Sequence, residues 1–401
     1  MSKLYSPLTA LKEGHWFKLI CGASYQHLPA VRNLALAYAL AGADCIDVAS
    51  DPAVVAAVKA ALDVAENLAT TQAYSPAAAE FVRPWLMVSL NDGEDPHFRK
   101  AAFEFSDCPP GCHRPCESIC PAEAITFPQQ NSGSFAGVIS ELCYGCGRCL
   151  PVCPSQHITT QTYVSTPAAI NASVLMGVDA IEIHTQVGRE ADFERLWRVI
   201  RPHRSQLKVL AVSCPDAPGL GRYLQHLWEM MQPLDRPLVW QADGRPMSGD
   251  IGKGTTHAAI RLGQKLLATD LPGYVQLAGG TNQHTVDKLR SLDLLPHPQR
   301  LTKLPTVAGV AYGSYARSLL APIINQLEPS LPSAVSAQAY PKQQQQLEDS
   351  PRLLKQAIDL ATGLVGQLKQ AAPVILSIAT AWILPSSFFW IALTFSTYFI
   401  T

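Results

Sequence analysis

The 401-residue sequence predicts an α/β fold: a (β/α)8-like barrel, interrupted after its third strand by a small cysteine-rich α+β insert and followed by an apolar C-terminal tail. Three observations carry this. Eight short apolar runs bounded by turn residues alternate with segments of helical periodicity, as parallel strands buried on both faces do. Eight of the eleven cysteines fall between Cys108 and Cys153. No charged residue occurs from Ala371 to Thr401.

The runs come in a fixed rhythm. WFKLICGAS (16–24) is followed by the helical LPAVRNLALAYALAGA, and DCIDVAS (44–50) by a helix with Asp51 as its cap. RPWLMVSLN (83–91) is the third strand, and the cysteine segment follows it. A helix from Thr166 then leads to VDAIEIHT (178–185), LKVLAVSCP (207–215), RPLVWQADG (236–244), GYVQLAGGT (273–281) and TVAGVAYGS (306–314), each with a helix after it. Eight such units over about 300 residues match a (β/α)8 barrel, with a doubly wound open sheet as the alternative. The expected divisions are 10–103 and 163–328 for the two parts of the barrel, 104–162 for the insert, 329–349 for a Pro-, Ser- and Gln-rich linker, and 350–401 for a helix and the tail.

Composition narrows the function classes. Thirty-one basic and thirty-two acidic residues nearly cancel, and the basic residues form no dense run, which argues against nucleic acid. The N-terminus, MSKLYSPLTALKEGHWFKLI, has no apolar signal core, so a reducing cytoplasm is expected, where clustered cysteines mean metal rather than disulfides.

The cysteines form two motifs. Cys143, Cys146, Cys149 and Cys153 follow C-x2-C-x2-C-x3-C-P, the spacing that wraps three thiolates around one iron–sulfur cube and sends the fourth to a second cube. Upstream, Cys108, Cys112, Cys116 and Cys120 are spaced x3-x3-x3 before Pro121, a departure from that pattern in the first two intervals. The flanks PAEAITF and PSQHITT repeat as a turn leading into a strand. Structural zinc is the competing reading of so many cysteines; the two C-x3-C-P endings argue against it. Residues 104 to 162 thus resemble a bacterial-type 2[4Fe–4S] ferredoxin domain. That resemblance implies one cluster on Cys143, Cys146, Cys149 and Cys120, and another on Cys108, Cys112, Cys116 and Cys153. The irregular first motif leaves [3Fe–4S] open for the latter.

The insert follows the third strand, so it would lie over the barrel face where active sites form. Polar residues at that face are Asp47, Ser50, Ser89, Asn91, Glu182, His184, Cys214, Gln241 and Asp243. Glu182 and His184 share one face of their strand and form either part of a site or a satisfied buried pair. Cys21, Cys45 and Cys214 read as small core residues. Gly279 and Gly280 of GGTN, and Gly313 and Ser314 of GSYAR, end the seventh and eighth units, where backbone N–H groups hold a phosphate in many barrels, or else simply make tight turns. Gly252, Gly254 and Thr255, with Lys253 and Thr256, either cradle an anion or cap a helix; the segment is not a full P-loop. Two function classes follow: an oxidoreductase whose barrel takes a flavin or a small phosphorylated or quinone-like ligand, or a redox reporter whose barrel is a docking scaffold. No motif is diagnostic of flavin.

Residues 371–401 are long enough to span a bilayer, with Pro385, Ser386 and Ser387 as an interruption. A membrane contact is expected there, as a kinked span, a re-entrant hairpin or a surface-lying segment; packing on the barrel or on an oligomer partner is the alternative.

Taken together, AGADCIDVASDPAVVAAV, the two cysteine motifs, VDAIEIHTQVGR and WQADGRPMSGDIGKGTTHAA resemble the light-dependent period family of cyanobacteria across about residues 10 to 325. The resemblance implies a cytoplasmic iron–sulfur protein on the light-input side of the circadian clock, one that senses cellular or quinone-pool redox state. It also implies clock-input proteins as partners, a histidine kinase among them, and thylakoid contact would suit the tail. It supplies no catalytic residues.

Overall fold

A computed structural model of the chain describes residues 6–21, 28–71, 81–93, 99–120, 123–127, 137–139, 143, 149–162, 175, 177–244, 254–296, 305–327 and 345–369. Eight parallel strands close into a barrel: β1 (Trp16–Ile20), β2 (Cys45–Ala49), β3 (Trp85–Asn91), β8 (Ala180–His184), β9 (Val209–Pro215), β10 (Leu238–Asp243), β11 (Tyr274–Ala278) and β12 (Gly309–Tyr312). The order around the barrel is β1-β12-β11-β10-β9-β8-β3-β2. Trp16↔Gly309 and Lys18↔Cys45 flank β1 on its two sides, so there is no open edge and the doubly wound sheet is excluded. Each of the eight strands lies within its expected segment.

The helices follow the expected alternation: α2 (Leu28–Leu40), α3 (Pro52–Thr70), α6 (Glu190–Ile200), α7 (Leu220–Met231), α8 (Thr256–Leu267), α9 (Thr285–Ser291) and α10 (Ser314–Ile324). Asp51 caps α3 as its sequence predicts, accepting from the N–H groups of Ala53 and Val54 at 2.9 and 3.4 Å, with Pro52 pre-set in the first turn. The helix expected from Thr166 falls outside the described residues apart from Leu175 and Gly177.

Two layers of core result from strand alternation. Outward-facing residues such as Ile46, Val48, Ile181, Ile183 and Val212 pack against the helices in one continuous cluster. Inward, the floor of the barrel is apolar: Trp16, Trp85, Met87, Val209 and Val239, closed from below by Leu11 of α1 (Pro7–Glu13). The Trp16 and Trp85 rings meet edge-on at 5.6 Å.

Between β3 and β8 lies the insert. Its elements are β4 (Arg99–Ala102), α4 (Pro115–Ile119), β5 (Ile125–Thr126), β6 (Gly137–Val138), α5 (Cys149–Val152) and β7 (Thr159–Thr162). This is a strand–helix–strand unit used twice. β4 pairs antiparallel with β7, and β5 with β6, while α4 packs on α5. The insert has its own small core of Cys116, Ile125, Phe127, Cys149 and Ile158. Its attachment to the barrel is charged: Lys100 on β4 pairs at 3.3 Å with the capping Asp51, both buried. At the exit from β3, Asp92 meets Arg189 at 3.2 Å and accepts from Thr185 just past β8.

One further helix, α11 (Pro351–Lys369), runs against α2 and α10. Its last turn is clamped beneath the barrel. Lys369 reaches both Asp44 oxygens at 2.6 Å, His15 Nδ1 meets the Leu368 carbonyl at 2.9 Å, and Arg290 donates to the Gln367 carbonyl. The Arg290 guanidinium on one of the final carbonyls complements the helix dipole. Arg32 pairs with Glu348 just before the helix begins. Among the described residues, no helix is long and apolar enough to cross a membrane. The tail of residues 371–401 lies outside them.

Candidate functional site

The insert draws one predicted set of cysteines together. Burial raises the Cys108 thiol, and the neighbouring Cys112 and Cys153 raise it further. Burial also pushes Cys116 up to about 11, with Cys108 and Cys153 again among its electrostatic neighbours. Cys108 and Cys116 thus lie near Cys153 of the second motif, with Cys112 near Cys108, a cross-over that accompanies the packing of α4 on α5. In the other set, Cys120 accepts from the Ala124 N–H at 3.3 Å, and Cys143 and Cys149 are buried. Cys146 lies outside the described residues.

These residues fit an iron–sulfur group in their chemistry. Burial alone would raise the Cys153 thiol, but the N–H groups of Ile158, His157 and Ser155 and the Ser155 hydroxyl bring it below the ordinary range. Backbone N–H groups directed at sulfur stabilise thiolate and tune a cluster. Among the described residues, no three Cys, His, Asp or Glu side chains close around one point as a single-ion cage.

A second constellation occupies the upper half of the barrel interior. Lys18 of β1 is fully buried and pairs with Glu182 of β8 and, at 3.6 Å, with Asp47 of β2. β1 and β8 are not neighbours, so the Lys18–Glu182 pair crosses the interior. Gln241 Nε2 donates to Glu182 Oε1 at 2.7 Å and to Ser213 Oγ at 3.0 Å. Gln276 donates to Gln241 at 2.5 Å, and Trp16 Nε1 to Gln276 at 2.6 Å. His184 Nε2 lies 3.0 Å from Glu182 Oε1, and Ser89 donates to Asp47 at 2.8 Å. Seven of the eight strands contribute.

Charge in this layer is held by mutual contact. Burial would raise the Glu182 carboxyl, but Lys18 and then His184 outweigh it and lower it. Burial would lower His184, yet Glu182, Asp47 and Asp243 push it up to about 9. Burial raises Asp47 against the pull of Lys18. Glu182 and His184, expected as either part of a site or a satisfied buried pair, do pair, but within a larger network and with His184 partly exposed. Lys18 is not among the polar residues expected at the mouth; its place in Trp16, Lys18, Ile20 on one face of an otherwise apolar strand is the signal that marks it.

The glycine segments meet each other. Thr255 Oγ1 donates to the Gly280 carbonyl at 2.8 Å and accepts from Asn282 at 3.2 Å. Gly280 has φ +87°, and a Cβ there would meet the Thr255 carbonyl at 2.8 Å, so only glycine fits. Gly279 and Gly254 also have positive φ. Gly313 and Ser314 open α10, where Arg317 donates to Ser314 Oγ at 3.2 Å and to the Ile20 carbonyl at 2.9 Å. Gly252 lies outside the described residues. Cys21, Cys45 and Cys214 are buried.

Comparison with known proteins places this architecture. The curated protein Light dependent period A of Synechococcus elongatus is 50% identical over 367 residues, which are 91% of this chain and 94% of the relative. The chain belongs to the light dependent period A family. Residues 108–164 match the family model for the LdpA Fe-S cluster-binding domain, and residues 174–367 the Light dependent period A C-terminal domain. The family's Fe–S domain therefore coincides with the insert, and the C-terminal domain takes in five barrel strands and nearly all of α11. Solved structures share far less. Mycobacterium tuberculosis tryptophan synthase aligns at 12% identity with a TM-score of 0.37, covering 92% of this chain and 99% of that one. The geranylgeranylglyceryl phosphate synthase of Thermoplasma acidophilum aligns at 12% with 0.29, covering 92% and 99%. Likeness at this level carries no argument, and the barrel rests on its own strand pairing.

Proposed function

We propose that this protein is a two-cluster iron–sulfur redox sensor on the light-input side of the cyanobacterial circadian clock. The observation that carries the reading is Cys153 beside Cys108 and Cys116, because exchange of the fourth cysteine between motifs is how two-cluster ferredoxins are built. Cys108, Cys112, Cys116 and Cys153 hold one cluster, [4Fe–4S] or [3Fe–4S]. Cys143, Cys146, Cys149 and Cys120 hold a [4Fe–4S] cluster. When bound, such clusters supply one-electron storage near the insert surface. The chain itself contributes the N–H groups that support Cys153 and Cys120, and the Lys100–Asp51 bridge that ties the insert to the barrel. By family resemblance the signal would pass to clock-input proteins, and residues 371–401 would bring the sensor to the thylakoid membrane and its quinone pool.

The test is anaerobic purification of the full chain, followed by iron and sulfide analysis and EPR before and after dithionite. About eight irons per chain with two reducible centres is expected. Cys153→Ser would leave about half the iron and the signal of one centre. One zinc and no iron would overturn the reading. A second reading, an oxidoreductase in which the clusters serve a ligand in the barrel, is favoured by the polar layer above Trp16. A stoichiometric flavin, or a small phosphorylated or quinone-like ligand reduced through the clusters, would select it.

A further inference from the structure

The interior of a (β/α)8 barrel is ordinarily filled by bulky branched side chains. Here the lower half obeys that rule and the upper half does not. The floor is Trp16, Trp85, Val209 and Val239; one layer up stand Lys18, Asp47, Glu182 and Gln241, all buried. Well-packed apolar residues in place of a buried ion pair are often neutral or stabilising, so stability alone does not account for this layer. Its position does suggest a role, because it lies on the side where the strands end and barrels bind their ligands.

The wiring of the layer determines what it can offer. Glu182 is saturated by three donors: Lys18 on one oxygen, Gln241 and His184 on the other. Lys18 is held between Glu182 and Asp47, with Met87 Sδ 3.7 Å away. Asp47 accepts from Ser89. Among the described ionisable side chains of this layer, Lys18, Asp47, Glu182 and His184, only His184 leads outward. Its side chain is 38% exposed while that of Glu182 is fully buried. Its Nε2 faces inward to Glu182, and Ser89 Oγ stands 3.4 Å from the same nitrogen. Among the described residues nothing meets its Nδ1. A positively charged imidazole whose second N–H is uncommitted has one chemical preference, an oxygen acceptor bearing negative charge.

We propose that the barrel mouth is a binding site for a small oxyanion, carboxylate or phosphate, whose oxygen accepts from His184 Nδ1, with Lys18, Glu182 and Asp47 as positioning residues beneath it. The site is independent of the clusters: it stands on the barrel's own strands, and its occupancy requires no electron. Charge on His184 is part of the design, and Glu182, Asp47 and Asp243 supply the field that maintains it.

The experiment is calorimetric titration of the full-length, cluster-loaded protein with pyruvate and, separately, with inorganic phosphate at pH 7. Saturable binding of at least one is expected, weakened tenfold or more in His184→Gln, with iron content and cluster absorbance unchanged. Pyruvate alone assigns the site to carboxylates, and phosphate alone to phosphate-bearing ligands. If His184→Gln does not fold, the unaltered protein still decides the matter: affinity falls tenfold or more between pH 7 and pH 10, and the His184 ring 15N resonances shift on adding the bound anion. Absence of binding by both anions, or equal binding by His184→Gln, overturns the proposal while leaving the iron–sulfur reading intact. Loss of iron with anion binding retained does the reverse.

Discussion

The barrel and its insert are stabilised in different ways. The barrel has eight paired strands and a continuous apolar shell between sheet and helices, a core large enough for a domain of its size. Among its described residues the insert has two sheets of two strands, one of them with strands of only two residues, and a core cluster of five side chains, of which two are cysteines. Two-stranded sheets of that size are marginal in water, and so small a core needs a further staple. The comparison shows where a cofactor is structural. Thiolates in the insert that hold iron would also hold the fold, whereas the barrel's apolar shell is continuous without them.

The most direct way to break this contrast is to remove the iron. Anaerobic chelation should abolish amide-exchange protection across residues 99–162 and leave the barrel strands protected. Barrel strands that lost protection in parallel would show that the two regions are one cooperative unit. Within the barrel, Glu182→Ala leaves Lys18 buried with only the more distant Asp47, and should cost about 3–5 kcal/mol in urea unfolding with cluster absorbance per folded chain unchanged. Lys369→Met leaves Asp44 buried without its cation. A loss of about 3 kcal/mol is expected, since burial already pushes Asp44 up to about 6 and protonation relieves part of the strain. At the join, Asp51→Ala removes a helix cap and the partner of Lys100 together; about 1–2 kcal/mol is expected, with looser protection of β4 as well as α3.

The smallest effect is one of pH. His184 is pushed up to about 9 in the folded chain from an ordinary 6.5, so its contribution is full below pH 6.5 and is lost as pH rises through 9. Stability should decline over that window, and the decline should flatten in His184→Gln. Glu182 acts in the opposite direction: its lowered carboxyl contributes above its ordinary range and loses that contribution only in strong acid. A stability curve with the same alkaline slope in both proteins would show that the mouth does not hold His184 charged.

Much of this was legible in the sequence because it is written locally. Each strand announces itself as an apolar run between turns, Asp51 stands one residue before its helix, and the C-x3-C-P endings report the two motifs without any tertiary information. Lys18, Asp44 and Lys369 were harder to read. Lys18 appears as one polar letter in an apolar strand, and its meaning depends on Glu182, 164 residues away and across the barrel. Asp44 and Lys369 are separated by 325 residues, and neither carries a local sign of its partner. Long-range polar pairs are set by topology, and composition around each member is silent about them.

The antiparallel pairing of β4 with β7 has a practical consequence. Arg99 stands opposite Thr162, so the insert leaves and rejoins the parent chain at nearly the same place. A segment with adjacent ends can be lifted out or transplanted at little loop-closure entropy. A shortened gene joining residue 98 directly to 163 would encode a plain eight-fold barrel, and the excised cassette, with its own two ends already side by side, could be grafted into the loop of an unrelated host as a portable iron–sulfur module.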